Sequence, residues 1–253
     1  MPAIDTETQS REQDPAAGGP GLMARLSRWL ERDPLPEPDE VQTLYTARLT
    51  DVAANRLAKQ WSERYLASES KDRRAMLSTL VQAGNDLDPR DDQGLRMFRR
   101  LYAQAESLNL LVELRADMLR WRKQIAGLAV LERELEDLLT AWFDVGMLEL
   151  RPITWDSPAS LLEKLIQYEA VHEIRSWEEL KHRVAGHRRC YAFFHPRMKD
   201  EPLIFVEVAF AAQMAGNVQV LLDPQVPADD ISKARWAIFY SISNTRPGLR
   251  GIS

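Results

Sequence analysis

The sequence predicts an α+β fold, an N-terminal all-α helical bundle followed by a mostly antiparallel sheet with helices of its own. Three observations predict it. From residue 39 to about 150, apolar side chains recur at spacings of three and four, the period of a half-buried helix. After Gly146 that period gives way to short strand-like runs. Two of those runs flank a polar, proline-bounded segment that suits a hairpin connection.

Residues 1–21 are rich in Pro, Gly, Ala and polar groups and bury too little to offset the entropy of ordering, so a disordered arm is expected. A short amphipathic turn is expected around Leu22, Leu26 and Trp29–Leu30. Pro34, Pro36 and Pro38 then break any helix, because each restricts its predecessor and lacks a donor. Residues 1–38 are therefore read as a disordered or weakly ordered arm.

Residues 39–150 are read as the helical domain. A first segment carries Leu44, Tyr45, Leu49, Val52, Leu57, Trp61 and Tyr65. A second carries Met76, Leu77, Leu80 and Val81, and Gly84 suits the position just past its end. A third has Leu95, Phe98, Leu101 and Tyr102, and a fourth Leu111, Leu114, Met118 and Trp121. The fifth is the most regular: Leu128, Leu131, Leu135, Leu138 and Trp142. Charged residues fill the opposite faces, so the Trp and Leu stripes read as core. Acidic runs such as Asp91-Asp92 and Glu132–Asp137 read as solvated faces or helix ends.

Residues 151–253 change character. Asp156-Ser-Pro158-Ala-Ser-Leu161 starts a helix, with a capping residue and a proline near the first turn. Ser176-Trp-Glu-Glu179 is a capping box, and Gly186 closes that helix. Strands are predicted at 190–194, 203–209, 218–222 and 236–243, the first two joined by a hairpin over 196–202. The last strand runs into Asn244–Ser253 with nothing after it to cover the sheet. The sequence is therefore expected to stop inside a domain.

Composition narrows the function. The 253 residues are 45% apolar, which excludes wholesale disorder. A net charge of −5 argues against non-specific nucleic-acid binding, which needs clustered positive charge. Residues 1–150 carry 20 basic and 26 acidic side chains and residues 151–253 carry 13 and 12, so the second half repels an anion less. Cys190 is the single cysteine, so neither an intramolecular disulfide nor a Cys-based zinc site forms. Residues 1–20 lack an apolar signal core, and Asp5, Glu7, Glu12 and Asp14 do not suit a transit peptide. The stretch from Val208 to Leu222 is too short to cross a bilayer. A soluble cytoplasmic protein without membrane or nucleic-acid partners is expected.

The leading chemical candidate is the last predicted strand and the turn it enters, Tyr240-Ser-Ile-Ser-Asn-Thr-Arg246-Pro-Gly248-Leu-Arg250-Gly251. Glycines let a backbone approach a ligand, and if a helix follows, its first N–H groups point at an anion, the usual way a pyrophosphate is held. Arg246 or Arg250 would add charge-assisted contacts. The competing reading is an ordinary loop with solvated arginines, and composition alone favours it. His195, at a strand end, reads as a surface histidine on a capped strand end rather than a catalyst. His172, His182 and His187 share no face with a carboxylate at ligand spacing, so no metal is expected. Glu207 is either a buried base with a raised pKa or a solvent-facing group on an edge strand, and the second reading is preferred. Cys190 reads as a buried structural thiol.

Several segments together resemble the malonyl-CoA decarboxylase family. They are Tyr168-Glu-Ala-Val-His-Glu-Ile-Arg-Ser-Trp-Glu-Glu-Leu180, Arg188-Arg-Cys-Tyr-Ala-Phe-Phe-His-Pro-Arg-Met198, Glu201-Pro-Leu-Ile-Phe-Val-Glu-Val-Ala209, Ile238-Phe-Tyr-Ser-Ile-Ser243 and Gly248-Leu-Arg-Gly-Ile252. They stand in the family's order and spacing from about 155 to 253. The resemblance implies a helical oligomerisation domain followed by an incomplete GNAT-like α/β domain that holds a coenzyme A thioester. It implies that Arg250, Gly251, Ile252 and Ser253 begin the malonyl-CoA-binding loop. It implies a carboxy-lyase that makes acetyl-CoA and CO₂ with no cofactor, a homo-oligomer, and a place in fatty acid metabolism. The family's catalytic serine and histidine correspond to positions beyond Ser253, and their roles are not carried onto Ser241, Ser243 or His195. The 253-residue chain is thus expected to be a fragment, inactive alone. The alternatives are a non-catalytic helical oligomerisation or interaction protein, and a GNAT-like acyltransferase, for which no amine-acceptor site is visible.

Overall fold

Pro38 opens the first helix rather than breaking it. A computed structural model of the chain describes residues 37–85, 92–105, 107–169, 171–223 and 231–252. The predicted arm and amphipathic turn over 1–36 lie outside these residues, as does Asp91. Helix α1 spans Pro38–Thr46, with its proline in the first turn. There the missing N–H has no intrahelical partner to lose, and the fixed φ suits the helix.

The stripe from Leu44 to Tyr65 is two helices, α1 and α2 (Val52–Ala67), not one segment. Asp51 explains the division, since its side chain accepts from Ala54 N and restarts the helix. Helix α3 runs Ser70–Gly84. Gly84 is its last helical residue and lies against the Tyr45 ring, so it is not the residue past the end. Helix α4 spans Gln93–Ala105, α5 spans Leu108–Trp121 and α6 spans Leu128–Trp142. The Ser107 side chain accepts from Asn109 N to start α5. Helix α4 packs on α1, α2, α5 and α6. Leu44, Trp61, Leu80, Phe98, Leu114 and Leu135 are among the fully enclosed side chains.

Glu132 corrects the reading of its acidic run as solvated. It is 4% exposed and pairs with Arg115. A carboxylate is held there because a guanidinium from α5 reaches it.

The sheet has strand order β1-β2-β3-β4 and every pairing is antiparallel. Strand β1 (Glu149–Ile153) is absent from the predicted set, because Pro152 masks it. As an edge strand of the described sheet, β1 tolerates a residue without a donor. Strands β2 (Arg188–His195) and β3 (Met198–Ala211) form the expected hairpin. Its turn is tighter than predicted, since Met198 already pairs with His195 and Pro202 lies opposite Phe194 at a bulge. Residues 218–222 are a helix, not a strand. A five-residue run with four apolar side chains is ambiguous by period, and Asn217 decides it by accepting from Gln219 N. Strand β4 spans Trp236–Asn244 and carries Tyr240 as an extra residue, because Glu207 pairs with Ser241 and Val208 with Phe239.

Helices α7 (Ala159–Tyr168) and α8 (Trp177–Arg183) cover one sheet face and share a core with Ile153, Cys190, Ala192 and Phe205. The start of α7 has no side-chain cap. Pro158 occupies the cap position, and Ser157 Oγ accepts from Thr154 N instead. The box at α8 forms with one shift: Ser176 Oγ accepts from Glu179 N, and Glu179 Oε2 accepts from Arg175 N. Gly186, at φ +67, turns the chain into β2. No helix among the described residues is long and apolar enough to cross a membrane. The fold is α+β, with helices first and the antiparallel sheet after them.

Candidate functional site

The segment after β4 is held from both halves of the protein. Thr245 Oγ1 donates to the carbonyls of Pro202 and Leu203 on β3. Asn244 Oδ1 accepts from Arg246 N and sets the bend. A single 3₁₀ turn follows at Pro247–Leu249, in which the amides of Leu249, Arg250 and Ile252 bond back to Arg246, Pro247 and Leu249. Gly248 sits on helix α5, where a Cβ would lie 1.9 Å from the Val112 carbonyl oxygen. Gly251 takes φ +80, a conformation that side chains rarely adopt.

Arg115 of α5 is the anchor of this turn. Its Nη1 donates to Gly248 O at 2.7 Å and to Arg250 O at 2.9 Å. Nε donates to Glu132 Oε1 at 3.0 Å and Nη2 to Glu136 Oε1 at 2.7 Å. The Arg115 side chain is 1% exposed.

The two arginines that the sequence leaves open are told apart. Arg246 is neutralised by Glu113 and Glu201, at 3.2 and 2.7 Å. Arg250 is exposed, and its side chain makes no ion pair among the described residues. Gly251 is exposed beside it. Ile252 is buried and closes a cavity of about 120 Å³ with Phe143, Leu148, Phe193, Leu203 and Leu249. The turn therefore offers a cation, an exposed glycine backbone and an apolar cleft within a few residues. Ser253 lies outside the described residues.

A second polar cluster lies under the helix-covered sheet face. The Glu169 carboxylate accepts from Ser241 Oγ and Ser243 Oγ, and from the amides of Val171 and His172. Glu207 pairs with Arg183 at 2.9 Å and is fully buried, which overturns its solvent-facing reading. It lies on an interior strand, on the face covered by α7 and α8. Burial pushes its carboxyl up to about 7, against the downward pull of Arg183. Among the described residues, Glu207 Oε1 and the Tyr240 hydroxyl make no hydrogen bond of normal geometry.

The other candidates are structural. His195 is buried, with Nδ1 accepting from Arg197 N and Nε2 set against Trp142 O at 3.1 Å. It ties the end of β2 to the end of α6. Burial, and then the Arg197 charge, hold its pKa below the ordinary value despite the bond to Trp142. Cys190 is buried, and its thiol is pushed well up by burial and by Glu207 and Glu169. His172, His182 and His187 belong to no group of three or more metal-ligating side chains among the described residues.

Sequence reasoning missed Arg115, Glu132, Glu169 and Arg183. A signal for Arg115 existed: it falls four residues after Leu111, on the buried stripe of its helix.

Comparison with known proteins gives one consistent result. The family model described as malonyl-CoA decarboxylase N-terminal domain matches residues 52–143, and that described as malonyl-CoA decarboxylase C-terminal domain matches 146–253. "Malonyl-CoA decarboxylase, mitochondrial" of Anser anser anser is 38% identical over 162 residues, covering 62% of this chain and 32% of that protein. The protein of the same name from Mus musculus is 36% identical over the same length, covering 62% and 33%. The crystal structure of malonyl-CoA decarboxylase from Cupriavidus metallidurans superposes with a TM-score of 0.73 at 50% identity, covering 85% of this chain and 55% of that one. That from Rhodopseudomonas palustris gives 0.71 at 34%, covering 86% and 60%. The chain spans about a third of the length of the curated relatives it matches.

Proposed function

The chain belongs to the malonyl-CoA decarboxylase family, and we propose that it supplies the helical domain and the acyl-CoA-binding turn of an enzyme converting malonyl-CoA to acetyl-CoA and CO₂. The observation that carries this is the turn at Gly248–Ile252, inside the residues matched by the family's C-terminal model. It sets an exposed glycine in the left-handed region beside an arginine that makes no ion pair among the described residues, and beside an apolar cleft. Such a turn suits a ligand that is anionic along one part and apolar along another, as a coenzyme A thioester is.

The reaction fixes what the rest of the site must do. Loss of CO₂ leaves a thioester enolate, so donors must stabilise its oxygen and an acid must protonate its carbon. The thioester serves as the electron sink, and the proposed reaction uses no further cofactor. Neither role is assigned to a residue of this chain. The buried Ser241 and Ser243 are committed to Glu169, and His195 to Trp142 and the Arg197 amide.

The proposal extends to a carboxy-lyase of fatty acid metabolism, working as a homo-oligomer through the helical domain. The proposed compartment is the cytoplasm, supported by a single cysteine that is buried as a free thiol. The reading is tested with malonyl-CoA labelled in its free carboxyl, following labelled CO₂ and acetyl-CoA together. This chain's own part is tested by saturable acetyl-CoA binding. Binding supports the reading, and its absence contradicts it.

A further inference from the structure

We infer that Arg115, on a helix of the N-terminal half, is a positioning residue for the acyl-CoA ligand: by holding the carbonyls of Gly248 and Arg250 it turns the Gly251 amide outward to the ligand. The inference rests on the reading that this turn binds the thioester. A peptide unit is planar and trans, so the Arg250 carbonyl and the Gly251 N–H point in opposite directions. Arg115 Nη1 grips that carbonyl at 2.9 Å, so the Gly251 N–H faces away from α5. Gly251 is exposed, and among the described residues its amide makes no hydrogen bond. A cation on the carbonyl also polarises the peptide unit and strengthens its N–H as a donor.

The guanidinium is itself fixed. Glu132 and Glu136 of α6 hold Nε and Nη2, which leaves Nη1 no freedom to swing from the turn. Glu136 stands close by, since a Cβ on Gly251 would lie 3.6 Å from its Oε1. Pairing with Arg115 offsets a charge that would repel an anion. A lysine cannot reproduce this. One ammonium reaches the carbonyls but does not engage both carboxylates in a fixed fork.

The test uses the whole 253-residue chain as wild type, Arg115→Ala, Arg115→Lys and Glu136→Gln. The first readout, without ligand, is residue-level hydrogen exchange of the Leu249, Arg250 and Ile252 amides, which bond within the turn. In Arg115→Ala these amides exchange at least about ten-fold faster while the β2–β3 hairpin keeps its protection, and Arg115→Lys falls between. The second readout is acetyl-CoA affinity, which weakens about ten-fold or more in Arg115→Ala and less in Arg115→Lys. Unchanged turn exchange, or unchanged affinity, in a folded Arg115→Ala overturns the inference. If that variant does not fold, Glu136→Gln decides: faster exchange at the turn supports the inference, and unchanged exchange overturns it. A wild-type chain that takes up no acetyl-CoA refutes the ligand reading, and with it the outward role of Gly251. Turn exchange then still shows whether Arg115 sets the turn.

Discussion

Arg183 and Glu207 form an ion pair of 2.9 Å whose side chains are 1% and 0% exposed. The pair joins helix α8 to the interior strand β3. Such pairs stabilise little in net terms, but removing one partner strands the other charge. Arg183 keeps further partners in Glu179 and the His172 carbonyl, whereas Glu207 has Arg183 as its cation.

Arg183→Met is therefore expected to destabilise the protein by about 3–5 kcal/mol, and Glu207→Gln by clearly less. Urea unfolding at pH 7 compares the two. Equal losses would contradict the asymmetry.

The pH dependence follows from the raised carboxyl of Glu207. Its folded pKa of about 7 exceeds the ordinary 4.5, so the folded state binds the extra proton between those values. Its contribution is fully present below about pH 4.5 and is lost as pH rises through about 7. Wild type loses stability relative to Glu207→Gln across that window. A difference that is flat between pH 5 and 8 would refute this.

His195 works in the opposite sense. Its folded pKa lies below the ordinary 6.5, so its contribution is present above pH 6.5 and is lost as pH falls below it. An NMR titration should place the ring's midpoint below 6.5. A midpoint at or above 6.5 would show that the ring is not held between Trp142 and the Arg197 amide as described.

Ser241 and Ser243 donate to one carboxylate, Glu169, at 2.8 and 3.0 Å. Each Ser→Ala change is expected to destabilise by about 1–3 kcal/mol, because the acceptor is charged. The double variant should lose less than the sum, since the two serines share a partner. A thermodynamic cycle over the four proteins measures the coupling, and strict additivity would contradict a shared anchor.

Much of this architecture was legible in the residues. The periodic stripes through Trp61, Leu80, Phe98, Leu114 and Leu135 mark the helices and supply their core. The Asn217 cap and the Pro152 edge strand were harder, because a short, mostly apolar run and a proline mislead local pattern reading. The candidate turn was visible as glycine and arginine at the end of a strand. The choice between Arg246 and Arg250 was not, since it depends on Glu113 and Glu201 from distant segments. Arg115, Glu132 and Glu207 share that property. Each is a charge placed in the interior by a partner far away in sequence, and a solvated face is the natural reading until the partner is seen.

The most direct test of the account is a titration of the isotope-labelled chain with malonyl-CoA, following every backbone amide by NMR. The account predicts saturable shifts centred on Leu249, Gly251 and Ile252 and extending to Phe143 and Leu203 along the cleft. Shifts confined to helices α1–α4, or no saturable shift at Gly251, would contradict it.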